Sequence, residues 1–136
     1  MRLIVIWLLF VSASAVYADS VKVNEVTSIY DADTFRVNID AWPPIVGERV
    51  PVRVLGVDTP EIRGKCDAEK VMAKKAKQFT VEALRGAKRI ELRHIKRGKY
   101  FRLLAEVYVD GVSLAQSLIK FGFGRPYSGG HRAGWC

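Results

Sequence analysis

Five side chains in this sequence have the types and placement for chemistry on an anionic ester: Asp33, Arg53, Asp58, Glu61 and Arg102. A phosphodiester already carries negative charge, and its transition state gathers more on the phosphoryl oxygens, which cations must stabilise. Guanidinium forks match phosphate oxygens bidentately and stay protonated, so Arg53 and Arg102 can clamp one phosphate between them. Asp33 and Asp58 stand at strand ends, where a carboxylate most simply caps a turn. Glu61 lies three residues beyond Asp58, with Pro60 stiffening the turn between them. Each residue has a plainer reading, an exposed arginine in an ion pair or a carboxylate capping a turn. Those readings weaken when all five converge.

The elements that must position these residues follow from periodicity. Val21 to Tyr30 is rich in β-formers, Asp31-Ala32-Asp33 turns the chain, and Thr34 to Ile39 alternates apolar with polar side chains. Together they predict a hairpin with Asp33 near its tip. Asp40 to Gly47, with Trp42, Pro43 and Pro44, is a connection that cannot pair as a central strand. Glu48 to Val57 is the next strand, with Val50, Val52 and Val54 on one face and Arg49 and Arg53 on the other; Pro60 stops it. Asp67 to Arg85 reads as a helix with Asp67 as N-cap, Gly86 as C-cap and a stripe of Ala68, Met72, Ala76, Phe79 and Ala83. Its lysines read as a solvated face. Two further strands, Lys88 to Ile95 and Phe101 to Val109, flank the basic turn Lys96-Arg97-Gly98-Lys99. Ser113, with Gln116 three residues on, starts a short second helix that Gly122 ends. The tail from Arg125 to Cys136 is glycine-rich and has no periodicity. The layout is α+β, mostly β: a five-stranded OB-type Greek-key barrel with a helix between strands 3 and 4 and a second helix after strand 5.

Met1-Arg2, the apolar run from Leu3 to Val11 and the small residues through Ala18 have the pattern of a signal peptide over residues 1–18. A membrane anchor is the alternative, but a span needs roughly 20 apolar residues and this run is shorter. The expected mature domain is Asp19 to Cys136, 118 residues once the first 18 of 136 are removed. That is one domain with a modest core. It carries 21 Lys and Arg against 14 Asp and Glu, a net charge near +7, which points to a polyanionic partner. Export, periplasmic or fully secreted, implies an oxidising compartment, where Cys66 and Cys136 favour one disulfide over two free thiols. Neither cysteine has a partner at zinc-site spacing, and His94 and His131 lie far from both, which argues against zinc.

Three blocks now combine: Asp31-Ala32-Asp33-Thr34, Val52 to Glu61 (VRVLGVDTPE), and Gly98-Lys99-Tyr100-Phe101-Arg102. In this order and on these elements they resemble the staphylococcal nuclease (thermonuclease) family, from about Val21 to Tyr127. The resemblance implies a calcium ion held by Asp33, Asp58 and the backbone carbonyl of Thr59. It implies Glu61 as general base, Arg53 and Arg102 on the phosphate, and Lys99 and Tyr100 near a terminal phosphate of the substrate. DNA and RNA alike would be cleaved at the bond to the 5′ oxygen, leaving 3′-phosphate ends. Tyr127 is either a platform on which a base stacks or a tyrosine packed on the last helix.

Four departures from the family pattern stand out. Gly98 replaces a frequent acidic residue, Phe101 replaces a usual glycine, and the lysine-rich loop before the first helix is shorter. Arg102 is therefore the assignment most dependent on loop placement. The long C-terminal helix is also missing, and in its place the expectation is that Cys136 ties the tail to Cys66. The primary expectation is a calcium-dependent, sugar-nonspecific nuclease, a monomer by default, with no stable protein partner and no membrane role beyond the leader. The competing expectations are a catalytically inactive nucleic-acid-binding OB module and a cationic domain for anionic surfaces; the complete set of five charged residues favours the enzyme.

Overall fold

The computed structural model describes residues 20–136; the expected signal peptide lies outside the described residues. In chain order the elements are β1 (Ser20–Val23), β2 (Glu25–Asp31), β3 (Thr34–Asn38), α1 (Pro44–Gly47), β4 (Val50–Val54), β5 (Gly56–Asp58), α2 (Asp67–Arg85) and β6 (Ile90–Arg97). A single 3-10 turn (Lys99–Phe101), β7 (Leu103–Val109), β8 (Val112–Ser113), α3 (Leu114–Lys120) and β9 (Arg125–Tyr127) complete the fold. The main sheet runs β1-β6-β7-β4-β3-β2, with β8 on β7, and curls into a half-barrel of the OB type expected. Neighbours pair antiparallel except β4 and β7, which run parallel.

The apolar alternation predicted for the central strands is the one that packs. Phe35 and Val37 of β3, Val50, Val52 and Val54 of β4, and Leu103, Ala105 and Val107 of β7 are buried around one core. Leu114 and Leu118 of α3 and Ala76 and Leu84 of α2 close it from outside the sheet. Each fully buried side chain of this size contributes roughly 1.5–3 kcal/mol relative to exposure. The polar partners on the opposite face of β4 are thereby fixed in direction, which is how Arg53 comes to face the site. Among the described residues, no helix is long and apolar enough to cross a membrane.

Several boundaries differ from the periodic reading. The expected first strand is two: it breaks at Asn24, whose side-chain oxygen accepts from Asp40 N at 2.8 Å. Before the break β1 pairs with β6, and after it β2 pairs with β3, so this exchange of partners curls the sheet. The expected third strand also divides, at Leu55, and β5 leaves the main sheet to pair with β9. Gly56, at φ 88°, makes that departure in a conformation glycine adopts without strain. The connection after Asp40 holds the one-turn α1, which starts with a proline, where a missing N–H is no loss.

The N-cap of α2 is Cys66 rather than Asp67: the Cys66 sulfur accepts from Glu69 N at 3.5 Å. Gly86 ends the helix as expected, its N–H on Glu82 O at 3.0 Å. The buried face is Glu69, Ala73, Ala76, Thr80 and Leu84, so Ala68 and Met72 of the predicted stripe are exposed. The reason is polar. Glu69 turns inward to accept from Lys65 N at 2.8 Å and Glu61 N at 3.3 Å, and Thr80 turns inward to donate to Ala32 O at 2.8 Å.

Candidate functional site

The tip of the β2–β3 hairpin is buried, which is unusual for a turn carrying two carboxylates. Asp31 and Asp33 are 6% and 2% exposed. Asp33 N donates to Asp31 Oδ1 at 3.3 Å, Thr34 donates to Asp33 Oδ1 at 3.1 Å, and Val54 N holds Asp33 O at 2.9 Å. The Thr80 hydroxyl of α2 pins the carbonyl of Ala32 between them. Burial, reinforced by the charge of Asp33 beside it, pushes the Asp31 carboxyl up to about 8. Two acids share a space that disfavours two negative charges.

Arg53 enters from β4, with Nη2 3.5 Å from Asp33 Oδ2 and 3.8 Å from Asp58 Oδ1. Asp58 ends β5, also 2% exposed, and Thr59 follows at 1%. Among the described residues, Asp33 Oδ2 accepts no hydrogen bond, nor does Thr59 Oγ1 make one. A buried carboxylate oxygen with a distant ion pair as its compensation is costly as it stands. It fits a cation ligand, since hard cations take carboxylate and carbonyl oxygens. Cys66, Glu69 and Cys136 also lie together, but the two sulfurs form a disulfide, Cα atoms 5.9 Å apart, and offer zinc no thiolate.

Arg53, Arg102, Tyr127 and Arg132 line one cleft of about 650 Å³. Arg102 sits where the loop expectation was weakest, and the loop achieves it with Tyr100 and Phe101 at φ 57° and 59°. Phe101 thus adopts the left-handed backbone that a glycine would take freely. Gly98 N donates to Arg102 O at 2.6 Å and closes the turn, and Arg102 Nε is buried with no hydrogen bond to any described residue. Tyr127 pairs with Gly56 through β9, faces the cleft and donates its hydroxyl to Gly130 O at 2.8 Å. Lys99 and Tyr100 are not part of the cleft lining; Tyr100 is 93% exposed.

Glu61 reaches this group through residues that periodicity did not single out. Its carboxylate accepts from Arg132 Nη1 at 2.8 Å, while Arg132 Nε donates to Asp58 Oδ1 at 2.8 Å. Burial pulls the Arg132 guanidinium down, but the hydrogen bonds and charges of Asp58 and Glu61 outweigh that and raise its pKa. Trp135 Nε1 donates to Asp58 Oδ2 at 3.1 Å, and Arg125 Nε lies 3.7 Å from the same oxygen. The sequence marks Asp31 only as a turn residue and does not set Glu69 apart within its helix. Arg125, Arg132 and Trp135 lie in the tail without periodicity. The available signal was the cysteine pair: joining Cys136 to Cys66 brings residues just before Cys136 to the segment after Glu61.

Residues 51–132 match the family model described as staphylococcal nuclease homologue. The match takes in Arg53, Asp58, Glu61, Arg102 and Arg132, with Asp33 upstream of it. The chain is 36% identical over 98 residues to endonuclease YncB of Bacillus subtilis (strain 168), covering 70% of this chain and 43% of that protein. It is 35% identical over 98 residues to the SPbeta prophage-derived endonuclease YokF of the same strain, covering 70% and 31%. An uncharacterised Bacillus anthracis protein is 33% identical over 104 residues, covering 74% and 45%. The chain therefore spans less than half the length of these relatives. Fold and family match agree: the chain belongs to the staphylococcal nuclease homologues.

Proposed function

We propose that this chain is a calcium-dependent, sugar-nonspecific nuclease that hydrolyses phosphodiester bonds of DNA and RNA and leaves 3′-phosphate ends. The observation that carries the reading is the buried junction of Asp33, Arg53 and Asp58, in which Asp33 Oδ2 accepts no hydrogen bond from the described residues, and from which Arg53 also lines a cleft together with Arg102. Asp33, Asp58 and the Thr59 carbonyl are the residues that would hold the calcium ion. When bound, it supplies Lewis-acid polarisation of the phosphate and orients water. Arg53 and Arg102 bind the phosphate and take up the charge that develops on its oxygens. Glu61, half exposed and tied through Arg132 to Asp58, accepts the proton of the attacking water as the water oxygen bonds to phosphorus. The bond from phosphorus to the 5′ oxygen breaks, and that oxygen takes a proton from solvent. The relatives' names as endonucleases support the class of reaction. Tyr127 offers a stacking face beside the arginines, which tolerates any base. The leader pattern and the disulfide support export to the periplasm or beyond.

Incubating the purified mature protein with plasmid DNA in calcium, in magnesium and in chelator tests this reading. Cleavage is expected in calcium and absent in chelator; cleavage that persists in chelator overturns the metal mechanism. Arg53→Ala is expected to lower kcat by about 10²–10³-fold, the scale of losing one preorganised charge donor. Full activity in Glu61→Gln removes its role as base. Binding without cleavage under every condition replaces the enzyme with a nucleic-acid-binding module. Affinity for DNA should fall steeply with salt if phosphate contacts dominate.

A further inference from the structure

The stretch from Ser128 to Cys136 has no helix or strand of its own, yet it supplies hydrogen bonds to both oxygens of Asp58. Arg132 is placed so that one planar fork ties Asp58 Oδ1 to Glu61 Oε1, each at 2.8 Å. Trp135 takes the other Asp58 oxygen at 3.1 Å. The loop that carries them is braced from within. Arg125 stacks over the Trp135 ring at 3.8 Å and donates from Nη2 to Ala133 O and Gly134 O at 2.6 and 2.9 Å. Its far end is fixed by the disulfide from Cys136 to Cys66, which caps α2. Gly124 admits the near end: a Cβ there would lie 2.5 Å from Val57 Cγ2, so a larger residue would push β9 off β5.

We infer that this disulfide-closed loop is a working part of the active centre, with Arg132 and Trp135 as positioning residues for Asp58 and Glu61. The inference rests on the calcium-dependent reading above and extends it. A carboxylate has two oxygens and a rotatable stem, so donors on both sides set the direction of its remaining lone pairs. Groups that hydrogen-bond a metal's ligands typically change affinity or activity by about 10–100-fold when removed. Trp135 does this without charge. Arg132 does it while joining Asp58 to Glu61, so the group that activates water keeps a fixed relation to the group beside the phosphate. A lysine at that position would reach one carboxylate at a time, because its ammonium lacks the fork.

The opposite reading is that the loop plugs the site and competes with the cation for Asp58. Trp135 separates the two, because removing a neutral donor changes orientation without removing a repelling charge. Three variants of the full chain, disulfide intact, are compared with the wild type: Trp135→Phe, Arg132→Ala and Arg132→Lys. Calcium binding is measured by calorimetry without nucleic acid, cleavage kinetics on a defined oligonucleotide, and melting temperature on every variant. Trp135→Phe is expected to weaken calcium binding about 10-fold. Arg132→Ala is expected to lower kcat about 10–100-fold, with KM changed less than about threefold and the melting temperature kept. Arg132→Lys, and guanidinium ion added to Arg132→Ala, are expected to recover part of that loss.

Tighter calcium binding in Trp135→Phe together with faster cleavage overturns the inference and makes the loop a plug. Wild-type values in all variants overturn it too, leaving the loop as a staple for the chain end. A raised KM with unchanged kcat in Arg132→Ala overturns the positioning role, because the arginine then holds substrate instead. A wild type that binds no calcium removes the metal reading and this inference with it, whereas wild-type binding with unaffected variants removes this inference alone.

Discussion

Two regions meet at Asp58: Arg53, on β4 between buried Val52 and Val54, and Arg132 with Trp135, on glycine-rich chain without regular structure. Both sides direct N–H groups at the same carboxylate, but by different means. Arg53 is aimed by pleat alternation, so its direction is guaranteed by every apolar residue on the inner face of β4 and its neighbours. Arg132 and Trp135 are aimed by a β5–β9 pairing of three residues, the Arg125 brace and one disulfide. The barrel side is redundant and the tail side is not. Redundancy predicts how each side fails: the first only with the whole fold, the second by release of a few local ties while the barrel stays folded.

The largest effect should come from breaking the barrel side at its source. Phe35 is 1% exposed and central to the core beneath the Asp33 hairpin. Phe35→Ala should cost about 3–5 kcal/mol by lost burial and cavity formation, read from urea unfolding. Site and fold should be lost together, so a variant with native stability would remove the claim that the core sets the hairpin. Reducing the disulfide is the matched test of the tail side. The chain-entropy estimate for this separation is about 4 kcal/mol, an upper value because native geometry and residual structure offset it. Dithiothreitol should therefore lower the melting temperature clearly while far-ultraviolet dichroism at room temperature stays that of the barrel. An unchanged melt would mean that the loop is held by its hydrogen bonds alone.

The same contrast explains what was legible beforehand. The faces of β3, β4 and β7 are written in period two, and α2 ends at Gly86 as its glycine predicts, because these features depend on neighbours a few residues away. Asp33, Arg53 and Asp58 could be singled out because three ordered blocks sit on elements that periodicity already places. The break at Asn24 was hidden, since β1 and β2 share one composition and differ only in their partners. The buried face of α2 was misread by about one residue at its start, because Glu69 is buried through backbone donors that come from the Glu61 to Lys65 loop. Arg125, Arg132 and Trp135 were invisible for a stronger reason: their positions follow from pairings that span the fold, in a segment with no period at all.

The smallest effect is expected at two tyrosines: Tyr100, which the resemblance sets near a terminal phosphate of the substrate, and Tyr127, which reads either as a stacking platform or as packed on the last helix. Tyr127 belongs to the tail side, half buried on the cleft beside Arg53 and Arg102, its hydroxyl on Gly130 O. Tyr100 stands 93% exposed on the left-handed loop before Arg102 and is not part of the cleft lining. A base stacked on an aromatic ring contributes about 1–3 kcal/mol, but only if ring and base can meet while the phosphate sits on the arginines. Binding of a labelled single-stranded oligonucleotide, followed by anisotropy in chelator, isolates that term from catalysis. Tyr127→Ala should weaken binding by about 5–100-fold on that scale, and Tyr100→Ala by less than about threefold, the scale of an exposed contact. If Tyr100→Ala proves the more damaging, the substrate path runs over the Lys99–Phe101 loop rather than along the tail. The tail would then serve Asp58 and Glu61 alone, and the two sides of the site would divide cleanly into one that binds and one that orients.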